Sequence, residues 1–323
     1  SAGMDAVLIN NNPETVSTDF DTSDRLYFDP LTSECVSEIL LREKAHGILL
    51  QFGGQTAINL AIPIEKRLEH LATKGAEVQI LGTSVDGIDE ASDRERFEAF
   101  ATKHGLRMPN GATGTTADDI RSAVEDIGFP VLIRPSYVLG GRGMEILSNE
   151  AQLEAYLKEA YLAPDKPLLV DEYLGHATEL DVDAASDGKE VLVGAIMEHL
   201  EEAGIHSGDS TCFIPAQNIS KEMLDRVAEQ TKTIGLGLNI KGCFNIQFAI
   251  QGDDLYVLEV NPRSSRTVPF VAKSSGLPLA KIAANITIGI PLSQQSIPKR
   301  TSGQICVKAP VFPFIKLRGL DPA

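Results

Sequence analysis

The chain has 323 residues, 43% of them hydrophobic and 23% charged, which suits a soluble globular protein of two or more domains. Its 45 acidic and 29 basic residues give a formal charge of -16, which excludes the broad basic surface that nucleic-acid binding requires. No stretch approaches a membrane span, and no signal peptide is expected at Ser1-Ala2-Gly3. Cys35, Cys212, Cys243 and Cys306 are far apart, with no paired metal spacing. Cys243 lies in an apolar strand pattern and reads as a buried reduced thiol, so a reducing cytoplasm is expected.

Three short apolar runs, residues 6–9, 47–51 and 78–81, alternate with helical patterns over residues 32–44 and 56–74. That order predicts parallel βαβ units in a first domain ending near Glu90. Ser92 or Asp93 then caps a helix running to Lys103, with Arg94 in its first turn. A helix over residues 116–127 stops at Gly128. Strands predominate from there, at residues 131–134, 144–147, 168–172, 179–185, 190–197, 244–250 and 254–260. Helices at residues 150–161 and 221–238 interrupt them, an α+β pattern. The tail after Pro291 reads as loop, with one strand at residues 304–308.

The run Val131-Leu132-Ile133 ends in Arg134 and enters a loop holding Gly140, Gly141 and Gly143. A guanidinium at the end of a buried strand is expected to be buried and to need an anionic partner. Met144-Glu145-Ile146-Leu147 follows as a second strand. Strand, Gly-rich loop, strand describes a flap whose backbone N–H groups approach a phosphate, unlike the strand-to-helix turn of a dinucleotide fold.

Glu259 and Asn261 alternate onto one face of a strand, and Asn245 and Gln247 onto one face of another. A hairpin through residues 251–254 brings the two faces together. Such oxygen donors suit Mg²⁺; the competing reading is a polar face open to solvent. Arg263 and Arg266, directly beyond, favour a polyphosphate ligand. Glu179, Asp181 and Asp183 share a third face, where one meets ribose or a cation and the others read as solvated. His206 either approaches a phosphoryl group or is structural. Residues 10–15 and 51–56 follow strands at the carboxyl edge where α/β sheets bind ligands, or simply turn the chain. No Walker A loop, kinase catalytic loop or nucleophile elbow is present.

Taken together, these residues resemble the large subunits of the carbamoyl phosphate synthetase family, within the ATP-grasp superfamily. The resemblance runs through essentially the whole chain. It is carried by NNNPETVSTDFDTSDRLYF (residues 10–28), QFGGQTAINLA (51–61), DRERF (93–97), RPSYVLGGRGMEI (134–146), MEHLEEAGIHSGDS (197–210), NIQFA (245–249) and EVNPRSSRTVPF (259–270). Arg142-Gly143-Met144 and Thr267-Val268-Pro269-Phe270 look like the second of the family's two synthetase halves, which phosphorylates carbamate.

The resemblance implies a truncated, Rossmann-like pre-ATP-grasp α/β domain over residues 1–91, an ATP-grasp domain over 92–298 and a tail over 299–323. It implies that Arg94 and Arg134 contact ATP phosphates under the Gly140–Gly141 loop, that Glu179 faces the ribose, and that His206 lies near the nucleotide. Gln247, Glu259 and Asn261 would hold Mg²⁺ or Mn²⁺, with Gln247 and Glu259 also touching ATP. Arg263, Arg266 and His206 would act on the transferred phosphoryl group. A K⁺ is implied near His199, Glu201 and Ser210, although Glu202 stands where a Gln is common in the family. The family's leading strand and Gly-rich turn do not precede Ala6, so the first domain is expected to be incomplete and the chain to be a fragment. Its implied partners are carbamate, the first synthetase half and a glutaminase small subunit, in arginine or pyrimidine biosynthesis. Two rivals stand beside this reading: an ATP-grasp ligase for another carboxylate, and a non-catalytic nucleotide-binding module.

Overall fold

The computed structural model describes residues 3–135, 144–159, 167–203, 208–300 and 303–311. In the first domain β1 (Val7–Ile9) pairs in parallel with β2 (Arg25–Tyr27), and helix α1 (Ser33–Glu43) follows. Thr32 caps α1 by accepting from the Cys35 N–H. β3 (Gly47–Leu49) leads into α2 (Gly54–Ile58) and α3 (Ala61–Thr73), then into β4 (Gln79–Leu81), its parallel partner. The single helix expected over residues 56–74 is thus broken at Asn59-Leu60. Pro63 is the cause, because it has no N–H for the Asn59 carbonyl and its ring crowds that turn. Among the described residues no ladder joins the β1–β2 pair to the β3–β4 pair.

Helices α4 (Val85–Ser92) and α5 (Arg94–Lys103) carry the chain out of this domain, with Asp93 capping α5 at the Arg96 N–H. A four-stranded antiparallel sheet comes next, in the order β5 (Gly111–Gly114), β8 (Leu168–Glu172), β6 (Val131–Pro135), β7 (Glu145–Leu147). It packs Val131, Ile133, Leu168 and Val170 on α6 (Ala117–Ile127) and α7 (Glu150–Glu159). Leu132 opposite Ile146 makes β6 and β7 the expected hairpin. Its loop, with Gly140, Gly141 and Gly143, lies outside the described residues.

A six-stranded sheet forms the centre, built from β9 (Thr178–Asp187), β10 (Val191–Glu202), β11 (Cys212–Ile214), β12 (Lys241–Gln251), β13 (Asp254–Asn261) and β14 (Cys306–Lys308). The spatial order is β13-β12-β9-β10-β11-β14. One face buries Leu180, Val182, Phe244, Ile246 and Phe248 against α5 and α8 (Lys221–Gly237). Part of the other face buries Ala185, Ala195, Met197 and Cys243 against α9 (Val268–Ser275) and α10 (Leu279–Thr287). Burial pushes the Cys243 thiol up to about 12, so it stays protonated. The rest of that second face is polar. Among the described residues no helix is long and apolar enough to cross a membrane.

Candidate functional site

The polar half of the sheet follows directly from strand alternation. Asn245 lies between Asn261 on β13 and Asp183 on β9, and Gln247 lies between Glu259 and Asp181. Gly252, at φ +60°, makes the tight turn, and a bulge between the Gln247 and Phe248 pairings shifts the register by one residue so that Glu259 and Asn261 come opposite Gln247 and Asn245. Gln247, Glu259 and Asn261 are therefore neighbours on one face. Glu259 is exposed, and neither it nor Gln247 has a side-chain hydrogen bond or ion pair among the described residues. Asn261 is buried, and its Oδ1 accepts from Arg263 Nη2 at 2.9 Å.

The expectation that most of the β9 carboxylates are solvated is wrong. Glu179, Asp181 and Asp183 are all buried. Asp183 accepts from Ser265 Oγ (2.6 Å), Thr267 Oγ1 (2.7 Å) and Asn245 Nδ2 (3.0 Å). Two of those donors flank Arg266, so a buried carboxylate holds the loop after β13 from beneath. Burial and the charge of Asp181 raise the Asp183 pKa to about 6, against the pull of its three donors.

Arg94 and Arg134 meet on one carboxylate. Arg94 Nη2 lies 2.7 Å from Asp171 Oδ1, and Arg134 Nε lies 3.2 Å from Asp171 Oδ2. Arg134 thus has an anionic partner, but it is not the buried guanidinium expected, because its side chain is 47% exposed. Ile133 turns into the core, and alternation turns Arg134 outward.

Around the implied K⁺ position, His199 is buried with Nδ1 3.9 Å from Glu179 Oε1 and Nε2 3.7 Å from Asp181 Oδ2. Among the described residues, both ring nitrogens and Asp181 Oδ2 lack hydrogen-bond partners. Burial opposes a charge on His199, but Asp181, Cys212 and Glu179 outweigh it and raise the pKa to about 10. Glu201 accepts from the Thr211 N–H at 2.7 Å, and the Ser210 carbonyl from Lys308 Nζ at 2.8 Å. A resident ammonium therefore already supplies positive charge at Ser210. Glu202 turns to surface His176, 3.0 Å from its Nδ1. His206 lies outside the described residues.

Residues 93–295 match the family model described as carbamoyl-phosphate synthase L chain, ATP binding domain, and residues 1–90 match the carbamoyl phosphate synthase preATP-grasp domain. The chain belongs to this family. The carbamoyl phosphate synthase large chain of Methanoregula boonei is 51% identical over 320 residues, which cover 99% of this chain and 30% of that one. The chain therefore spans about a third of the length of such relatives. Two solved structures share the fold at low identity. Biotin carboxylase from Campylobacter jejuni superposes with a TM-score of 0.73 at 18% identity, over 91% of this chain and 68% of its own. The biotin carboxylase domain of Hydrogenobacter thermophilus 2-oxoglutarate carboxylase, solved with MgADP, ADP and bicarbonate, superposes with a TM-score of 0.69 at 20% identity, over 90% and 65%.

Within this ATP-grasp family member, the donor chemistry at Gln247, Glu259 and Asn261 fits a hard cation. Two of the three are unengaged, and all offer oxygen. Among the described residues no three His, Cys, Asp or Glu side chains cluster as a metal site. A cation here would rely on one carboxylate, two amides and its other ligand's oxygens, the pattern of phosphate-bridging Mg²⁺. A surface cleft on the first domain, lined by Tyr27, Glu34, Arg42 and Arg67 among others, shares none of these residues. Sequence reasoning missed Asp171 and underrated Asp183. The signal for Asp171 was an acid, followed by Glu172, directly ending the apolar run Leu168-Leu169-Val170, the counterpart of Arg134.

Proposed function

We propose that the chain transfers the γ-phosphoryl group of ATP to carbamate, giving carbamoyl phosphate and ADP, as the second synthetase half of a carbamoyl phosphate synthetase large subunit. The observation that carries this reading is Arg263. Its side-chain hydrogen bonds go to Gln55 Oε1, Asn261 Oδ1 and the Ser264 carbonyl, all neutral oxygens. Among the described residues it has no ion pair, and burial pulls its pKa below the ordinary arginine value. A partly buried cation hydrogen-bonded only to neutral acceptors, with the Glu259 charge acting on it from beyond ion-pair distance and Arg266 beside it, is suited to receive an anion.

Carbamate is already an anion, so attack of its oxygen on the γ-phosphorus needs no base. The protein has to position both reactants and offset the charge on the phosphoryl oxygens. Arg94 and Arg134 would take the nucleotide phosphates as Asp171 yields its two partners. Arg263 and Arg266 would take the phosphoryl group in flight. Mg²⁺ or Mn²⁺ at Gln247, Glu259 and Asn261 would neutralise the phosphate oxygens. Carbamate would come from the first synthetase half, fed by the glutaminase small subunit, in the cytoplasm.

A second reading, activation of bicarbonate or another carboxylate, draws support from the bicarbonate bound to the Hydrogenobacter neighbour. The test is formation of ATP from ADP and an acyl phosphate with Mg²⁺. Carbamoyl phosphate should support it and acetyl phosphate should not. Equal use of both favours the second reading, and use of neither refutes both.

A further inference from the structure

The Gln51–Gln55 turn ends β3 in the first domain, at the carboxyl edge where the sequence suggested either ligand binding or simple turning. In the fold it reaches the loop after β13. Gln51 is buried, and its amide Nε2 donates to the Pro262 carbonyl (2.9 Å), the Cys243 carbonyl (3.4 Å) and Thr83 Oγ1 (2.9 Å). Its Oε1 accepts from the Thr83 N–H at 3.1 Å, and its own carbonyl accepts from the Ser264 N–H at 2.9 Å. Four residues on, Gln55 Oε1 accepts from Arg263 Nε at 3.2 Å.

The packing shows how closely this turn is seated. A Cβ at Gly82, which has φ +95°, would lie 2.1 Å from Gln51 Oε1. A Cβ at Gly242, which has φ +117°, would lie 3.1 Å from the same atom. Glycine at both positions leaves room for the amide between the two domains. Because Gln51 donates to Pro262 and accepts from Ser264, it grips the turn on both sides of Arg263.

We propose that the first domain completes the phosphoryl-transfer site, with Gln51 positioning the turn that bears Arg263 and Gln55 orienting the Arg263 guanidinium through a neutral acceptor. This rests on the reading above that Arg263 serves the transferred phosphoryl group. Gln55 is suited to the role because its amide direction is set: Nε2 donates to Asn59 Oδ1 at 3.0 Å, which turns Oε1 toward Arg263. An oxygen without formal charge fixes the guanidinium plane and leaves the cation for the substrate. A carboxylate in its place would fix the same plane and absorb the charge.

The experiment compares Gln55→Glu and Gln55→Ala in the full chain. Three quantities are read: kinetics of ATP formation from ADP and carbamoyl phosphate, the melting temperature, and solvent exchange of the Arg263 Nε–H by NMR, assigned with Arg263→Lys. Gln55→Glu should keep the Nε–H protected and the melting temperature unchanged, yet raise KM for carbamoyl phosphate at least about tenfold. Gln55→Ala should expose the Nε–H and lower kcat on the order of tenfold to a hundredfold. KM for ADP should stay the same in both. A purely structural turn predicts the reverse, with Glu silent and Ala lowering only the melting temperature, and that result overturns the proposal. An unprotected Nε–H in the wild type overturns the contact itself. A protected Nε–H in a wild type that forms no ATP refutes the phosphoryl-transfer reading, and the role of Gln55 with it.

Discussion

Replacing Asp183 with Asn should raise stability and lower activity at neutral pH. The carboxyl group sits under the loop of Arg263 and Arg266, beside Asp181, Asn245, Ser265 and Thr267. Its pKa rises from an ordinary 3.8 to about 6. A carboxyl group raised on folding stabilises most below its unfolded pKa, where it is protonated in both states. That contribution is lost as pH climbs through the folded value, because the folded chain must then ionise a buried acid. The rise corresponds to about 3 kcal/mol lost between about pH 4 and about pH 6. Asp183→Asn is neutral throughout, so it should not suffer this loss. At about 2–4 °C per kcal/mol for a domain of this size, its melting temperature near neutral pH should exceed the wild type by up to about 10 °C. The same change turns an acceptor into a donor beside Ser265 or Thr267, so the loop loosens and kcat falls. Thermal melts of both proteins across the acid-to-neutral range, paired with turnover, check both halves. A variant that melts lower than wild type near neutral pH, with the same pH slope, would refute the reasoning.

Arg134→Ala should leave Asp171 paired with Arg94 alone and weaken MgATP binding by about 1.5–3 kcal/mol, read by calorimetric titration; unchanged affinity removes Arg134 from the nucleotide site. Glu259→Gln should abolish Mg²⁺-dependent turnover while moving the melting temperature by no more than about 3 °C, since Glu259 is exposed and has no ion pair among the described residues. Wild-type turnover at limiting Mg²⁺ would exclude its metal role. Gly111→Ala would place a Cβ 1.6 Å from Arg94 Nη2 and 2.5 Å from Asp171 Oδ1, forcing that pair apart. It should cost about 1–3 kcal/mol of stability and weaken nucleotide binding, and unaltered MgATP titration would show that Arg94 acts without Asp171.

Period-two patterns were the most legible feature of the sequence. Asn245 and Gln247 share a face by alternation, as do Glu259 and Asn261, but the two pairs stand opposite each other only because a bulge between the Gln247 and Phe248 pairings shifts the register of the Gly252 turn by one residue, which alternation alone does not reveal. Helix ends with local chemistry were equally readable, as at Asp93 and at Thr116 with its capping box to Asp119. Elements set by tertiary packing were not. Helix α9 does carry end signals, Pro269 in its first turn and Gly276 at a left-handed C-cap, but α9 and α10 are too short and apolar to stand out as helices, and they lie over Ala185, Met197 and Cys243. β11 is three residues long and gains its identity from pairing with β10 and β14. The burial of Glu179, Asp181 and Asp183 was illegible for the same reason. Alternation says which residues share a face, and only the overlying loop of Ser265 and Thr267 says whether water reaches it. The contacts of Gln51 with Cys243 and Pro262, and of Gln55 with Arg263, span more than 190 residues of sequence, beyond any local pattern.

The central claim is that phosphoryl transfer takes place on the polar face of the six-stranded sheet. It is tested most directly by a crystal structure of the chain with Mg²⁺ and a non-hydrolysable ATP analogue. The account predicts a metal ion on Glu259, Gln247 and Asn261, with the γ-phosphate against Arg263 and the other phosphates on Arg94 and Arg134. A nucleotide lodged elsewhere, for instance in the first-domain cleft of Arg42 and Arg67, with Glu259 and Arg263 untouched, would contradict it.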